Sequence, residues 1–341
     1  MFSDIFTLID FLKYQKKIKR VFFFESSFIE NHLAPYLYKN KNINETIIIS
    51  LYKTQNSNLK KFKIFQVNKL FFLNLFFLLL KTKYCYSSTP DIDHSAFQRS
   101  VFKKTKYIYI QHSPVGLIKI FRDNALTNFD VVQVVNTFQK NDLINISKRK
   151  NKKIKAWQGK YLFVGAENNE KFSFNINKQE RKKILIAPTW GTDFFNLNIH
   201  LTIKKNLNPS EYDIFIRPHN MSILNNKNLI SDLIQNNFQI SKGKINFNQY
   251  DLLITDWSGL YIEFAKINRI KSILIETKDK ILNDKFYEYK DDSIDTFARN
   301  ELGKILLTTQ LDTIESEVKD IILNRNKHTE KIDKFFDSYF Y

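Results

Sequence analysis

The chain has one cysteine, Cys85, in 341 residues. That excludes an intramolecular disulfide framework, leaves too few thiols for a cysteine-built zinc site, and fits a reducing cytoplasm. Glycine and proline are scarce at seven and six, so each one beside a polar cluster is informative. Long hydrophobic runs are missing. The most apolar stretch, Leu70 to Leu80 (LFFLNLFFLLL), has Asn74 inside it and falls short of the ~20 residues needed to cross a bilayer. With Lys69 and Lys81 at its ends it reads as a buried helix of about three turns, and second as a helix lying on a bilayer surface. The opening MFSDIFTLIDFLKYQKKIKR puts its charges after the apolar stretch, the reverse of a secretory signal. No P-loop, dinucleotide glycine fingerprint, HExxH or G-x-S-x-G elbow occurs, and no Cys/His cluster suggests a metal. No cofactor is expected.

Acid is the scarcer charge. Against 53 Lys and Arg stand 35 Asp and Glu, a net charge of +18. The excess is local: Lys148, Arg149, Lys150, Lys152, Lys153, Lys155 and Lys160 run with no acid between them. Something anionic is implied, whether nucleic acid, an anionic membrane face or a phosphate-rich substrate. An AT-rich genome would also raise Lys, Asn, Ile and Phe together, and all four are abundant, so charge alone names no partner.

Apolar content of 43% with 15% aromatics provides for sizeable cores, and the length fits two domains. Short apolar runs read as strands at Arg20–Phe24, Thr46–Leu51, Lys63–Val67, Tyr84–Ser87, Tyr107–Gln111 and Val131–Val135, with helix-length segments between them. The theme returns at Lys183–Ala187, Tyr212–Arg217, Phe238–Ser241, Leu252–Thr255 and Ser272–Glu276. This alternation predicts α/β domains with parallel, doubly wound sheets. The boundary is placed near Lys178, giving domains 1–178 and 179–341, and the tail from Thr313 to Tyr341 reads as two helices.

Several strands end in polar signatures. YIYI is followed by Gln111-His112-Ser113-Pro114, KILIA by Pro188-Thr189-Trp190-Gly191, YDIFI by Arg217-Pro218-His219, and LLIT by Asp256-Trp257-Ser258-Gly259. In parallel sheets the carboxyl ends share one edge, where ligands bind, so Thr189, His219 and Ser258 are expected on one rim. Ser258 and Gly259 precede a helical pattern, whose free N–H groups and positive dipole end favour a phosphate; an ordinary N-cap is the simpler reading. Glu263 is a candidate for a ribose hydroxyl, or is merely solvated. Trp190 is taken as domain-interface packing. A histidine at a strand end is more often structural, but two of them on separate domains, His112 and His219, point to proton transfer or phosphate donation. Ser87-Ser88-Thr89-Pro90-Asp91 reads as a further turn facing the cleft.

His-Ser-Pro at 112–114, Ala-Pro-Thr-Trp at 187–190, Arg-Pro-His at 217–219 and Thr-Asp-Trp-Ser at 255–258, in this order and spacing, resemble the CDP-glycerol glycerophosphotransferase family. These are polyol-phosphate transferases of teichoic-acid and capsule type, whose usual forms are His-Gly-Thr-Pro, Ala-Pro-Thr-Trp-Arg, Lys-Pro-His and Thr-Asp-Tyr-Ser-Ser followed by an acidic residue and Phe-Ala. The resemblance implies a GT-B-like architecture, with two Rossmann-like domains facing a cleft and the nucleotide held by the second. It further implies transfer of a polyol phosphate, glycerol phosphate first, from a CDP-linked donor to a hydroxyl of a lipid-linked or polymeric surface glycan, releasing CMP. Carried over by position, His112 is the general base and His219 the second catalytic histidine. Thr189, Arg217, Asp256, Ser258, Gly259 and Glu263 form the donor side, and Ser88, Ser113 and Lys119 the acceptor side. The chain departs from the family pattern at Gly116, Gly191 and Gly259, which leaves CDP-ribitol or another CDP-linked donor open. A peripheral cytoplasmic place at the inner membrane face follows, with basic loops meeting anionic lipid. The competing readings are a GT-B glycosyltransferase using a UDP- or GDP-sugar and a basic nucleic-acid binder. No nucleic-acid motif supports the latter, and no nucleic-acid partner is expected.

Overall fold

The structure is a computed structural model describing residues 2–39, 42–54, 56–94, 97–163, 181–243, 245–289 and 293–341. The expected boundary near Lys178 lies outside the described residues. The first half contains α1 (Phe2–Tyr14), β1 (Arg20–Phe24), α2 (Ser27–Tyr38), β2 (Thr46–Ser50), β3 (Lys63–Gln66), α3 (Leu70–Leu78), β4 (Tyr84–Ser87), β5 (Lys106–Tyr109), β6 (Val131–Val134), α4 (Thr137–Arg149) and β7 (Lys155–Gln158). The second contains β8 (Lys182–Ile186), α5 (Ile199–Asn206), β9 (Tyr212–Ile216), α6 (Asn220–Asn225), α7 (Leu229–Gln235), β10 (Gln239–Ile240), β11 (Leu252–Thr255), α8 (Leu260–Asn268), β12 (Ser272–Glu276), α9 (Ile294–Leu302), β13 (Gly303–Leu307), α10 (Ile314–Leu323) and α11 (Arg325–Tyr339).

Both sheets are wholly parallel, in the orders β3-β2-β1-β4-β5-β6-β7 and β10-β9-β8-β11-β12-β13. Counted within each half, both begin with the Rossmann order 3-2-1-4-5-6. The side-chain period of two explains why the strands read as continuous apolar runs. Val21, Phe23, Ile47, Ile49, Tyr107 and Tyr109 enter one core of the first sheet. Their neighbours Phe22, Phe24, Ile48, Ile108 and Ile110 enter the core on its other face. Of Leu70–Leu80 the helix takes Leu70–Leu78, with Phe72, Leu73, Phe76 and Phe77 buried but Leu70 and Phe71 exposed. Two strands were not expected. β7 is an edge strand carved from the basic run, and β13 follows directly on α9. The last helix crosses back: Tyr341 N–H donates to the Val135 carbonyl at 3.1 Å, and Phe336 and Phe340 pack on Phe163.

The halves meet along the segment after β5, whose main-chain polar groups have no strand to pair with and must be satisfied by side chains. The Asn136 amide donates to the Pro114 carbonyl at 3.1 Å and the Gln139 amide to that of Val115 at 2.8 Å. Leu117 N–H donates to Asp142 at 2.6 Å. From the second half, Asp295 accepts from Gly116 N–H at 3.2 Å. A Cβ at Gly116 would stand 2.8 Å from Asp295 Oδ2 and 2.9 Å from Ser293 Oγ. One at Gly259 would stand 2.6 Å from Val115 Cγ1 and 2.8 Å from Ser113 Oγ. Two of the departures from the family pattern are thus the points where the halves touch. Gly259→Ser, which restores the family's residue, should force this loop away at an over-packing cost of about 1–3 kcal/mol. A lowered melting temperature in calorimetry is expected, and an unchanged one would show that the seam yields freely.

Candidate functional site

His112 leaves β5 half-buried at the carboxyl edge of the first sheet. Its Nδ1 lies 2.9 Å from the Tyr109 hydroxyl, and its imidazole also bonds the Ser88 main chain. Burial pushes its pKa down to about 4, so the ring is neutral near pH 7. His32, on α2, was not anticipated. It is buried, its ring centroid 6.4 Å from that of His112, and burial followed by the charge of His112 pushes it down to about 3. The Tyr161 hydroxyl lies 3.2 Å from the His112 carbonyl and 3.1 Å from Glu263 Oε1 on α8. That places the His112 loop beside the start of α8, as the Gly259 contacts also do.

The facing rim belongs to the second sheet. Asp256, at the end of β11, is buried and accepts from Thr189 N–H at 2.8 Å and from the Thr192 hydroxyl at 2.7 Å. It therefore shapes the turn after β8 from within, and an inward carboxylate is unsuited to meet phosphate itself. Ser258 is the buried residue before α8, its hydroxyl 3.4 Å from Leu260 N–H. His219 caps α6, with Nδ1 accepting from Met221 N–H at 3.1 Å. In the neutral ring the proton is therefore on Nε2, where it can be donated to a phosphate oxygen. Burial, then Lys280 and Arg217, push its pKa down to about 4. Lys280, in the loop after β12, completes this rim with Nζ 3.2 Å from Thr189 Oγ1 and 4.3 Å from the Trp190 ring centre.

Several expected residues take other places. Arg217 spends its guanidinium on the Gly243 carbonyl at 2.8 Å and the Ser241 carbonyl at 3.4 Å. Glu263 is buried and receives the Tyr161 hydroxyl rather than standing in solvent. Trp190 lies beside His219 and beneath Lys280, both of the second half. Ser88 is fully buried under His112. Lys119 is buried, paired to Asp279 at 2.6 Å and 3.8 Å over the Trp257 ring, so it ties the halves together. Ser113 is half-buried against Gly259. The basic run from Lys148 lies at the end of α4 and along β7, the edge strand of the first sheet. Two of its members are paired, Lys150 with Asp123 and Arg149 with Glu288. Among the described residues, no group of three or more His, Cys, Asp or Glu side chains is placed to hold a metal.

Two facing Rossmann-like domains, with histidines and hydroxyls on opposed carboxyl edges, define a GT-B protein. Residues 162–341, more than half the chain, match the family model of CDP-Glycerol:Poly(glycerophosphate) glycerophosphotransferase, and the chain belongs to this family. A teichoic acid poly(glycerol phosphate) polymerase of Bacillus spizizenii is 25% identical over 267 residues, 74% of this chain and 60% of that protein. The chain thus spans about three fifths of that relative's length. Among solved structures, the wall teichoic acid polymerase TagF soaked with CDPG superimposes with a TM-score of 0.61 at 15% identity, over 95% of this chain and 85% of that one. A UDP-GlcNAc 2-epimerase from Neisseria meningitidis bound to UDP-GlcNAc gives 0.54 at 12% identity, over 92% and 94%. At these identities the structural likenesses speak for the fold alone.

The two depressed histidines carry a consequence for acid stability. Their folded pKa values, about 3 and about 4, lie below the ordinary 6.5, so the unfolded chain takes up protons first as pH falls. Stability held above about pH 6.5 should decline towards about pH 4. Urea midpoints measured across that range should fall less steeply for His32→Asn than for the wild type, and equal slopes would remove His32 from the account.

Proposed function

We propose that this protein transfers a polyol phosphate, glycerol phosphate first, from a CDP-linked donor to a hydroxyl of a lipid-linked or polymeric surface glycan. The observation that carries this reading is His112 at the edge of one sheet, in a loop whose Ser113 and Val115 side chains stand against Gly259 at the helix start on the edge of the other. In the step, the acceptor oxygen attacks the phosphorus bearing the polyol. The bond from that phosphorus to the bridging oxygen breaks, and CMP leaves with the electron pair. The acceptor proton goes to the His112 imidazole, which the Tyr109 hydroxyl and the Ser88 main chain hold in place. Thr189, His219 and the positive N-terminal end of α8 hold the diphosphate and stabilise charge on its oxygens, which is most of what phosphoryl transfer asks of a protein.

The acceptor side supports a place at the cytoplasmic face of a membrane. No helix among the described residues is long and apolar enough to cross one. Asp4 on α1 accepts from the Asn68 main chain and amide at 3.2 and 3.0 Å, and the Gln15 side chain accepts from Lys81 N–H at 2.9 Å. α1 and α3 therefore run side by side in the same direction, both starting at the cleft edge. There Phe6, Leu70 and Phe71 are 69%, 66% and 68% exposed, with Lys69 and Lys53 exposed at the same edge. Apolar side chains fringed by lysine suit an anionic bilayer, each lysine adding about 1 kcal/mol. Docking there would present a lipid-linked hydroxyl to the cleft.

Purified protein given CDP-glycerol, CDP-ribitol, UDP-glucose and GDP-mannose should release CMP from a CDP-linked donor; release of only UDP or GDP would refute the assignment. His112→Ala should lower turnover roughly 10²–10⁴-fold while CDP still binds, and near-normal turnover would take His112 out of the chemistry. For the membrane, Phe6→Ser/Phe71→Ser should lose co-sedimentation with phosphatidylglycerol vesicles, whereas undiminished binding would place the contact elsewhere.

A further inference from the structure

The turn that follows β8 ends at Gly191, with φ +79° and no atom within 4 Å of where a Cβ would stand. It offers backbone and the Thr189 hydroxyl to a ligand, but no charge. The family resemblance has arginine at this point of the motif. Across the rim, Lys280 reaches the same place from a different element, 3.2 Å from Thr189 Oγ1 and 4.3 Å from the Trp190 ring centre.

We propose that Lys280 is the cation that grips the donor diphosphate, replacing from the β12 loop the charge absent at Gly191. This rests on the donor reading above and names a ligand residue for it. The loop is pinned on both sides of position 280. Lys278 N–H donates to Asp193 at 3.1 Å, Asp279 pairs with Lys119 at 2.6 Å, and Leu282 N–H donates to the Lys119 carbonyl at 3.0 Å. The ammonium is thus held in position before any ligand arrives, which lowers the ordering cost of binding. Among the described residues no carboxylate stands within 4.0 Å of it. The charged groups nearby are Asp256 and Asp295, which favour its charge, and His219, whose own protonation it opposes. Burial outweighs both acids and draws its pKa down to about 8. A half-buried ammonium with a hydroxyl and a ring for company is stabilised by an arriving phosphate far more than an exposed one would be.

Calorimetric titration with CDP, UDP and cytidine tests this. Lys280→Met should weaken CDP about 10- to 100-fold and leave cytidine unchanged. Lys280→Arg should retain most of the affinity. Unchanged CDP affinity in Lys280→Met would overturn the proposal, as would equal losses for CDP and cytidine, which would mean a disturbed pocket. A wild type that binds UDP and not CDP would overturn the donor assignment alone, provided Lys280→Met then weakens UDP. A wild type that binds neither overturns both.

Discussion

The cleft depends on a stretch of main chain that belongs to no strand. Between Ser113 and Lys119 the chain runs buried, and each amide or carbonyl left unpaired there would cost on the order of 1–3 kcal/mol. Asn136, Gln139 and Asp142, all on or just before α4, satisfy it from the first half, and Asp295 satisfies it from the second. Because one of the partners comes from across the seam, the segment that carries His112 is built jointly by both halves. The glycines at 116 and 259 follow from that closeness, since neither position has room for a Cβ.

The same economy governs the donor side. Asp256 turns inward to hold Thr189 and Thr192, and its carbonyl receives the buried guanidinium of Arg299 at 2.7 Å. Arg299 also pairs with Glu276 at 2.6 Å and lies 3.9 Å from the Trp257 ring, whose centre is 3.8 Å from Lys119 of the first half. A cation from each half thus packs against one indole, and cation–π contact strengthens as solvent is excluded. What remains for a ligand is a rim of donors: Thr189, His219, Lys280 and the start of α8. Its neutral histidines suit the chemistry. In the proposed reaction His112 accepts a proton, and His219, whose Nδ1 is taken by Met221 N–H, donates one from Nε2.

Fold and rim were legible in the sequence for the same reason. Strands buried on both faces read as short apolar runs, and a parallel sheet sends all their carboxyl ends to one edge, so the motifs at 112, 189, 219 and 258 could be gathered without coordinates. β7 was hidden because an edge strand carrying Lys155 and preceded by lysines resembles a loop. The individual roles were less legible. At a sheet edge, a polar side chain that meets ligand and one that satisfies buried main chain have the same sequence signature, so Arg217, Asp256, Glu263 and Lys119 all read as ligand contacts. Nothing in the run Thr277-Lys278-Asp279-Lys280 distinguishes one lysine from the other. Only the packing sends Asp279 to Lys119 and Lys280 to Trp190.

The central claim is that the two sheet edges form one reaction site, with base on the first and diphosphate on the second. A crystal structure of His112→Ala with CDP-glycerol bound tests it most directly. The account predicts the diphosphate at the start of α8, within hydrogen-bonding reach of Thr189 and His219, and the polyol end directed at the vacated imidazole position. A diphosphate seated against the first sheet, or a polyol pointing away from residue 112, would contradict it.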